Sequence, residues 1–207
     1  MARRLHPQDT LLLASANSGK LAELSALLMP YDITLKSITE YHNGALAEDG
    51  QSFEANALQK ARFACKLAQL PALADDSGFC LTALGNAPGI YSARWAGENR
   101  DFRYAMHRVH EAMPKDAATD AHFVCVLALC FPDGYEKCFR GEVHGHFCWP
   151  PRGDQGFGYD PVFIPQNHDR TFGQMPAAEK DRISHRAHAF RLFQHEVLPQ
   201  GSPCCRP

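Results

Sequence analysis

Apolar positions along this chain switch between unbroken runs and helical spacing, and the switches mark its elements. Leu11-Leu12-Leu13-Ala14 is a continuous apolar run, which predicts a buried strand over 11–15. Leu21, Leu24, Leu27 and Leu28 then fall on one helical face. A helix capped by Asn17 or Ser18 therefore runs to about Leu28, and Pro30 ends it. Ile33-Thr34-Leu35 reads as a short strand, and the polar, glycine-containing residues 39–51 as a loop. Ser52 caps a longer helix to about Leu70, with Phe53, Ala57, Ala61, Ala64 and Leu67 inward and Pro71 as its stop. A buried strand through Leu73 follows.

Residues 85–100 read as an irregular connection, and a helix spans about Asp101 to Met113. Residues 121–131 and 135–148 are long β-rich runs joined at Pro132-Asp133-Gly134, and Asp-Gly between apolar stretches signals a hairpin. Gly153 to Gly158 is a loop and Val162-Phe163-Ile164 a short strand. The last helix starts near Ser184, with Ala187, Phe190, Phe193 and Val197 on its inner face. There is no internal repeat. Early βαβ units followed by a long antiparallel hairpin predict an α/β fold with a mixed β-sheet and flanking helices.

Composition narrows this picture only in part. A length of 207 residues suits one α/β domain or two small lobes. Hydrophobic residues at 45% and charged residues at 21% argue for a real core and against disorder. A formal net charge of -2 supplies no global field toward nucleic acid or a membrane, so a polyanionic ligand needs a local basic pocket. The basic start, Met1 to Pro7, lacks a signal-like apolar stretch, and no segment reaches the roughly 20 apolar residues of a membrane span. A soluble cytoplasmic protein is the expectation. The eight cysteines show no paired CxxC spacing and read as packing residues. Residues 199–207, with Cys204 and Cys205, read as a flexible tail. His107, His110, His144 and His146 keep no ligand spacing and are assigned to the surface.

Polar islands beside the apolar runs carry the candidate chemistry. Ser15-Ala16-Asn17-Ser18-Gly19-Lys20 takes a strand end into a helix N-terminus, where free N–H groups and a lysine suit a phosphate. Its spacing is not that of a Walker loop. Asp75 and Asp76 follow an apolar strand; on a regular strand they point to opposite faces, so one faces a site and the other braces the structure. A magnesium ion needs only one or two carboxylates, and Glu48 or Asp49 offers the second. Lys60 gains meaning only if its helix packs beside these acids. Gly156-Phe157-Gly158-Tyr159-Asp160-Pro161 joins aromatic faces that can stack on a base to glycines that admit close approach. Lys180, Ser184, His185 and Arg186 crowd donors at the start of the last helix.

In this order, the islands resemble the inosine triphosphate pyrophosphatase family, the Ham1/RdgB-like house-cleaning nucleotidases. The matching stretches are Ser15 to Lys20, Glu48 with Phe53 to Arg62, Ala74 to Gly78, Ala87 to Gly97, Phe157 to Pro161, and Ser184 to Arg186. They span roughly residues 10–198, and Ala87 to Arg94 is closest to the bacterial-type form. The resemblance implies an ITPase-like, anticodon-binding-like α/β fold over 1–207, with two lobes around a central cleft, in a homodimer. It implies magnesium-dependent hydrolysis of the noncanonical purine triphosphates ITP, dITP and XTP to monophosphate and pyrophosphate. By the same resemblance Asp76 is the general base, and Glu48 and Asp76 hold magnesium. Ser15 to Lys20, with Lys60, contact the triphosphate, and Ser77 contacts substrate beside the base. Phe157 stacks on the purine with Gly158, Tyr159 and Asp160 beside it, while Lys180, His185 and Arg186 read its edge. Ser15, Ala16 and Trp95 depart slightly from the family's usual residues.

A 6-oxo purine presents an acceptor with N1–H as donor, and adenine reverses that pattern. Donors aimed at the 6-oxo edge would leave ATP with unpaired polar groups. Other readings remain: a non-catalytic purine triphosphate sensor, a nucleic-acid binder using Phe157 and Tyr159, and, within enzymes, a nucleotidase of different base preference or a phosphatase releasing orthophosphate. The acidic pair weighs against the first, and the net charge against the second.

Overall fold

The computed structural model describes residues 3–199. Six strands, β1 (Thr10–Leu13), β2 (Thr34–Ser37), β3 (Ala72–Leu81), β4 (Asp120–Cys130), β5 (Glu136–Phe147) and β6 (Phe163–Pro165), form one sheet in the order β2-β1-β3-β4-β5-β6. β1 runs parallel to β2 and β3, whereas β5 and β6 are antiparallel, so the sheet is mixed as the sequence predicts. The helices are α1 (Ser18–Leu28), α2 (Phe53–Ala68), α3 (Ser92–Trp95), α4 (Phe102–Ala112), α5 (Ala177–Ile183) and α6 (His185–Val197).

The chain divides into two compact units. The first holds the described parts of Met1–Asp76 and Phe190–Pro207, with Val126–Phe139. Leu11, Leu12 and Leu13 of β1, Leu24 and Leu28 of α1, and Ala57, Ala61 and Ala64 of α2 are buried there. The second holds Ser77–Cys125 and Arg140–Ala189. Its core is aromatic: Phe79, Phe123, Phe147, Tyr159, Phe163 and Phe172 pack in one cluster with Met106 and Val109 of α4.

Several boundaries differ from the sequence reading. β3 does not stop near Ala74 but runs through both aspartates to Leu81, because Phe79, Cys80 and Leu81 continue the buried run beyond the polar island. α2 ends at Ala68, where Gln69 adopts a left-handed cap before Pro71, and Leu67 is 44% exposed. Residues 85–100 contain a 3-10 turn at Gly89–Tyr91 and the short α3. α5 has no counterpart among the expected elements. On α6, Ala189 is fully buried and Ala187 only half-buried. Cys65, Cys80, Cys125 and Cys130 are buried and form no disulfide, while Cys204 and Cys205 lie outside the described residues.

One glycine fixes how α6 meets the sheet. A Cβ on Gly141 of β5 would stand 2.2 Å from both the Ala189 nitrogen and the His185 carbonyl oxygen. Backbone therefore packs on backbone, and Gly141→Ala must push the start of α6 away. A loss of about 1–3 kcal/mol is expected from such overpacking. Calorimetric melting of the variant checks this, and an unchanged midpoint would refute the close approach.

Candidate active site

In the first unit, β1 delivers the chain to the start of α1. Asn17 caps that helix: its Oδ1 accepts from the Lys20 N–H at 3.2 Å, and its own N–H donates to Ser15 Oγ at 3.1 Å. Ser15 is half-buried and Ala16 exposed, and Ser18 and Gly19 open the helix. N–H groups at such a helix start suit an anion. Lys20 Nζ pairs with Asp75 Oδ1.

The two aspartates part as strand geometry requires. The Asp75 side chain is sealed from solvent and braces Lys20, whereas Asp76 meets Lys60 of α2. Lys60 is not on a solvated face. It is only 6% exposed, and its Nζ donates to Asp76 Oδ1 at 2.8 Å, Glu48 Oε1 at 2.5 Å and the Asp75 carbonyl at 2.9 Å. One ammonium thus gathers Glu48, from the polar loop, and Asp76, from the middle of β3. Burial pulls the Lys60 ammonium toward deprotonation, but Asp76 and Glu48 more than offset this and raise its pKa, so it stays charged. Burial also pushes the Asp76 carboxyl above the ordinary range, and Lys60 opposes that only in part.

In the second unit, the loop Gly156-Phe157-Gly158 is built on Asp160. This carboxylate is 2% exposed and accepts from the Phe157 N–H at 2.8 Å and from Lys180 Nζ at 2.5 Å. Gly156 has φ +73, and a Cβ there would lie 2.1 Å from Asp160 Oδ2, so the loop needs glycine. The Phe157 ring is left 51% exposed, with Lys180 Nζ 5.0 Å and Arg186 Cζ 5.8 Å from its centroid. Ser184 Oγ accepts from the Ala187 N–H and caps α6, and the buried His185 ring stacks on Phe123 at 4.9 Å. Ser77 is half-buried and directly follows Asp76 on β3.

A model of the Ham1 family matches residues 11–196. The chain belongs to the Ham1 family. It is 52% identical over 192 residues to a dITP/XTP pyrophosphatase of Zymomonas mobilis subsp. mobilis, covering 91% of each chain. It is 47% identical over 198 residues to one of Gluconobacter oxydans, covering 96% of this chain and 95% of that protein. A solved Ham1 protein from Coxiella burnetii superposes with a TM-score of 0.85 at 39% identity, covering 90% of this chain and 97% of that one. The Staphylococcus aureus Ham1 protein does so with a TM-score of 0.84 at 35% identity and the same coverage.

In this Ham1 chain several expected substrate contacts are buried: Arg186 is 2% exposed and His185 4%, and the Tyr159 and Asp160 side chains are engaged inside the protein. Tyr159 is buried, stacks on Phe79 at 5.1 Å and 14°, and donates its hydroxyl to the Ser92 carbonyl at 2.9 Å. Its ring is core, not a platform. Asp160 is consumed by its two donors and supports the loop from behind. Asn56, which sequence reading passed over, is a buried polar residue beside Asp76. Its place one turn before Lys60 was the available signal.

The exposure of Phe157 gives a direct expectation. Phe157→Ala removes a ring that little else covers, so the melting temperature should hold. The KM for dITP should rise about 5- to 150-fold, matching roughly 1–3 kcal/mol of lost stacking. Steady-state kinetics decide this, and an unchanged KM would remove Phe157 from base binding.

Proposed function

We propose that this chain hydrolyses dITP, XTP and ITP at the α–β phosphoanhydride, releasing nucleoside monophosphate and pyrophosphate, with magnesium as cofactor. The observation that carries this reading is the meeting of Glu48 and Asp76 at one ammonium, Lys60. Two hard carboxylates converging on one cationic position fit magnesium, for which one or two protein carboxylates suffice when phosphates and waters complete the shell. Among the described residues no group of three or more His, Cys, Asp or Glu is placed to hold an ion. Magnesium, when bound by Glu48 and Asp76, would offset charge on the phosphate oxygens.

The chain's own residues supply the rest. The Asn17 to Lys20 helix end and the lysines Lys20 and Lys60 take phosphate oxygens. Asp76, a carboxylate whose pKa is raised by burial, orients water and accepts its proton as the oxygen attacks phosphorus. Phe157 stacks on the purine, and Lys180, His185 and Arg186 provide donors for the 6-oxo edge, which disfavours ATP. Supporting the substrate class, relatives at 45–52% identity over most of the chain carry the name dITP/XTP pyrophosphatase. A cytoplasmic homodimer belongs to the same reading; analytical ultracentrifugation tests the dimer. Among the described residues no helix is long and apolar enough to cross a membrane.

The deciding experiment is a product assay with magnesium on dITP, XTP, ITP, GTP and ATP that separates pyrophosphate from orthophosphate. Pyrophosphate from the first three, with little from ATP, is the expected result. Orthophosphate, or equal rates on all five, would overturn it.

A further inference from the structure

Asn56 lies one helical turn before Lys60 on α2, so the two side chains share a face. It is 1% exposed. A buried amide is tolerated where both of its ends find partners. Asn56 Oδ1 accepts from the Gly50 N–H at 2.8 Å, and Nδ2 donates to Asp76 Oδ2 at 3.4 Å. Turning the amide over would set NH₂ against the Gly50 N–H and oxygen against a carboxylate oxygen, so the network admits one orientation.

Lys60 holds the other oxygen of the same carboxylate, Oδ1, at 2.8 Å. Each oxygen of Asp76 thus has its own donor from α2, and the two donors together fix the carboxylate plane. The contact with Gly50 extends this control to the loop. A Cβ on Gly50 would stand 2.8 Å from Asn56 Oδ1, so the backbone two residues after Glu48 rests directly on the amide. One side chain therefore touches both Asp76 and the segment that presents Glu48.

We propose that Asn56 is a positioning residue for the reaction, setting the plane of the Asp76 carboxylate and tying the Glu48 loop to it. This rests on the role given to Asp76 above. Both ends of the Asn56 amide are engaged, by Gly50 and by Asp76, so its loss acts on turnover rather than on binding. With Lys60 as its remaining donor on α2, the Asp76 carboxylate turns about its last torsion and spends less time aligned for proton transfer.

The test compares the full chain, Asn56→Ala and Asn56→Asp with dITP and magnesium. Asn56→Ala removes both contacts. Asn56→Asp keeps an acceptor for Gly50 but replaces the donor to Asp76 with a second carboxylate. Both should lower kcat about 10- to 100-fold, the range for losing a residue that orients a metal ligand, with KM nearly unchanged. Crystal structures of the unmodified chain and Asn56→Ala should show the Asp76 carboxylate rotated and the Gly50 segment displaced. Wild-type kcat, a loss confined to KM, or an unmoved Asp76 would each overturn the proposal. Should Asn56→Ala fail to fold, Asn56→Asp carries the same comparison. If the unmodified chain releases no pyrophosphate, the functional reading falls alone. The two crystal structures would still decide whether Asn56 holds Asp76.

Discussion

Asp76→Asn should lower kcat for dITP by roughly 10²–10⁴-fold, the usual contribution of a positioned general base. The substitution keeps size and an acceptor oxygen, so the Lys60 contact at 2.8 Å can persist in neutral form. Glu48 at 2.5 Å remains as a charged partner for the ammonium. Loss of a buried pair partner commonly costs about 3–5 kcal/mol, but here the ammonium is not stranded and most of that cost is avoided. A folded variant with near-normal affinity for a non-hydrolysable dITP analogue is the expected result, measured by titration calorimetry beside single-turnover kinetics. Retained turnover would move the base to another residue. Failure to bind the analogue would instead make Asp76 chiefly a ligand-holding group.

Lys60→Met carries the larger stability cost. It strips the shared cation from Asp76, Glu48 and the Asp75 carbonyl together, leaving Asp76 the weaker pull of Lys20. About 3–5 kcal/mol of destabilisation at neutral pH is expected, with kcat/KM falling if the phosphate contact proposed for Lys60 is lost with it. The pH dependence has a definite sign. Burial already raises the Asp76 pKa, and Lys60 acts to lower it. Removing Lys60 lifts the folded value further above the unfolded one. In the variant, stability from this group is fully present below the ordinary carboxylate pKa and is lost as pH rises through the raised one. The gap between variant and unmodified chain should therefore narrow on acidification from neutral pH. Urea unfolding at several pH values measures it, and a constant gap would mean that Asp76 and Lys60 are not coupled.

These two residues also show how the sequence could be read and where it could not. Asp75-Asp76 after an apolar run is visible as an anomaly, because carboxylates seldom follow a buried strand without a purpose. Opposite faces followed from strand periodicity alone, and the separate partners Lys20 and Lys60 agree with it. That β3 continues to Leu81 was not legible, since Asp-Ser-Gly is also turn chemistry. The strand continues because its neighbours supply ladder partners and Phe79 and Leu81 enter an aromatic core. Tyr159 failed in the opposite direction. Beside Phe157, with glycines around both, it reads as a second stacking face, yet only the three-dimensional placement of Phe79 and Ser92 turns it inward.

Local chemistry along the chain determined the elements, the mixed sheet, the capped helix end at Asn17 and the residue types available for phosphate, metal and base. Periodicity, caps and breakers act over a few residues, so they survive in a linear reading. The order of the islands was enough to point to the Ham1 family, to which the chain belongs. Tertiary structure decided the partners. Lys60 and Asp76 are 16 positions apart, Lys180 and Asp160 are 20 apart, and Asn56 reaches both Gly50 and Asp76. Whether a lysine is solvated or buried, and whether an asparagine is an ordinary helix residue or a brace for a carboxylate, depends on what packs against its face. Burial and charge pairing are properties of the assembled neighbourhood, and no window of the sequence contains them.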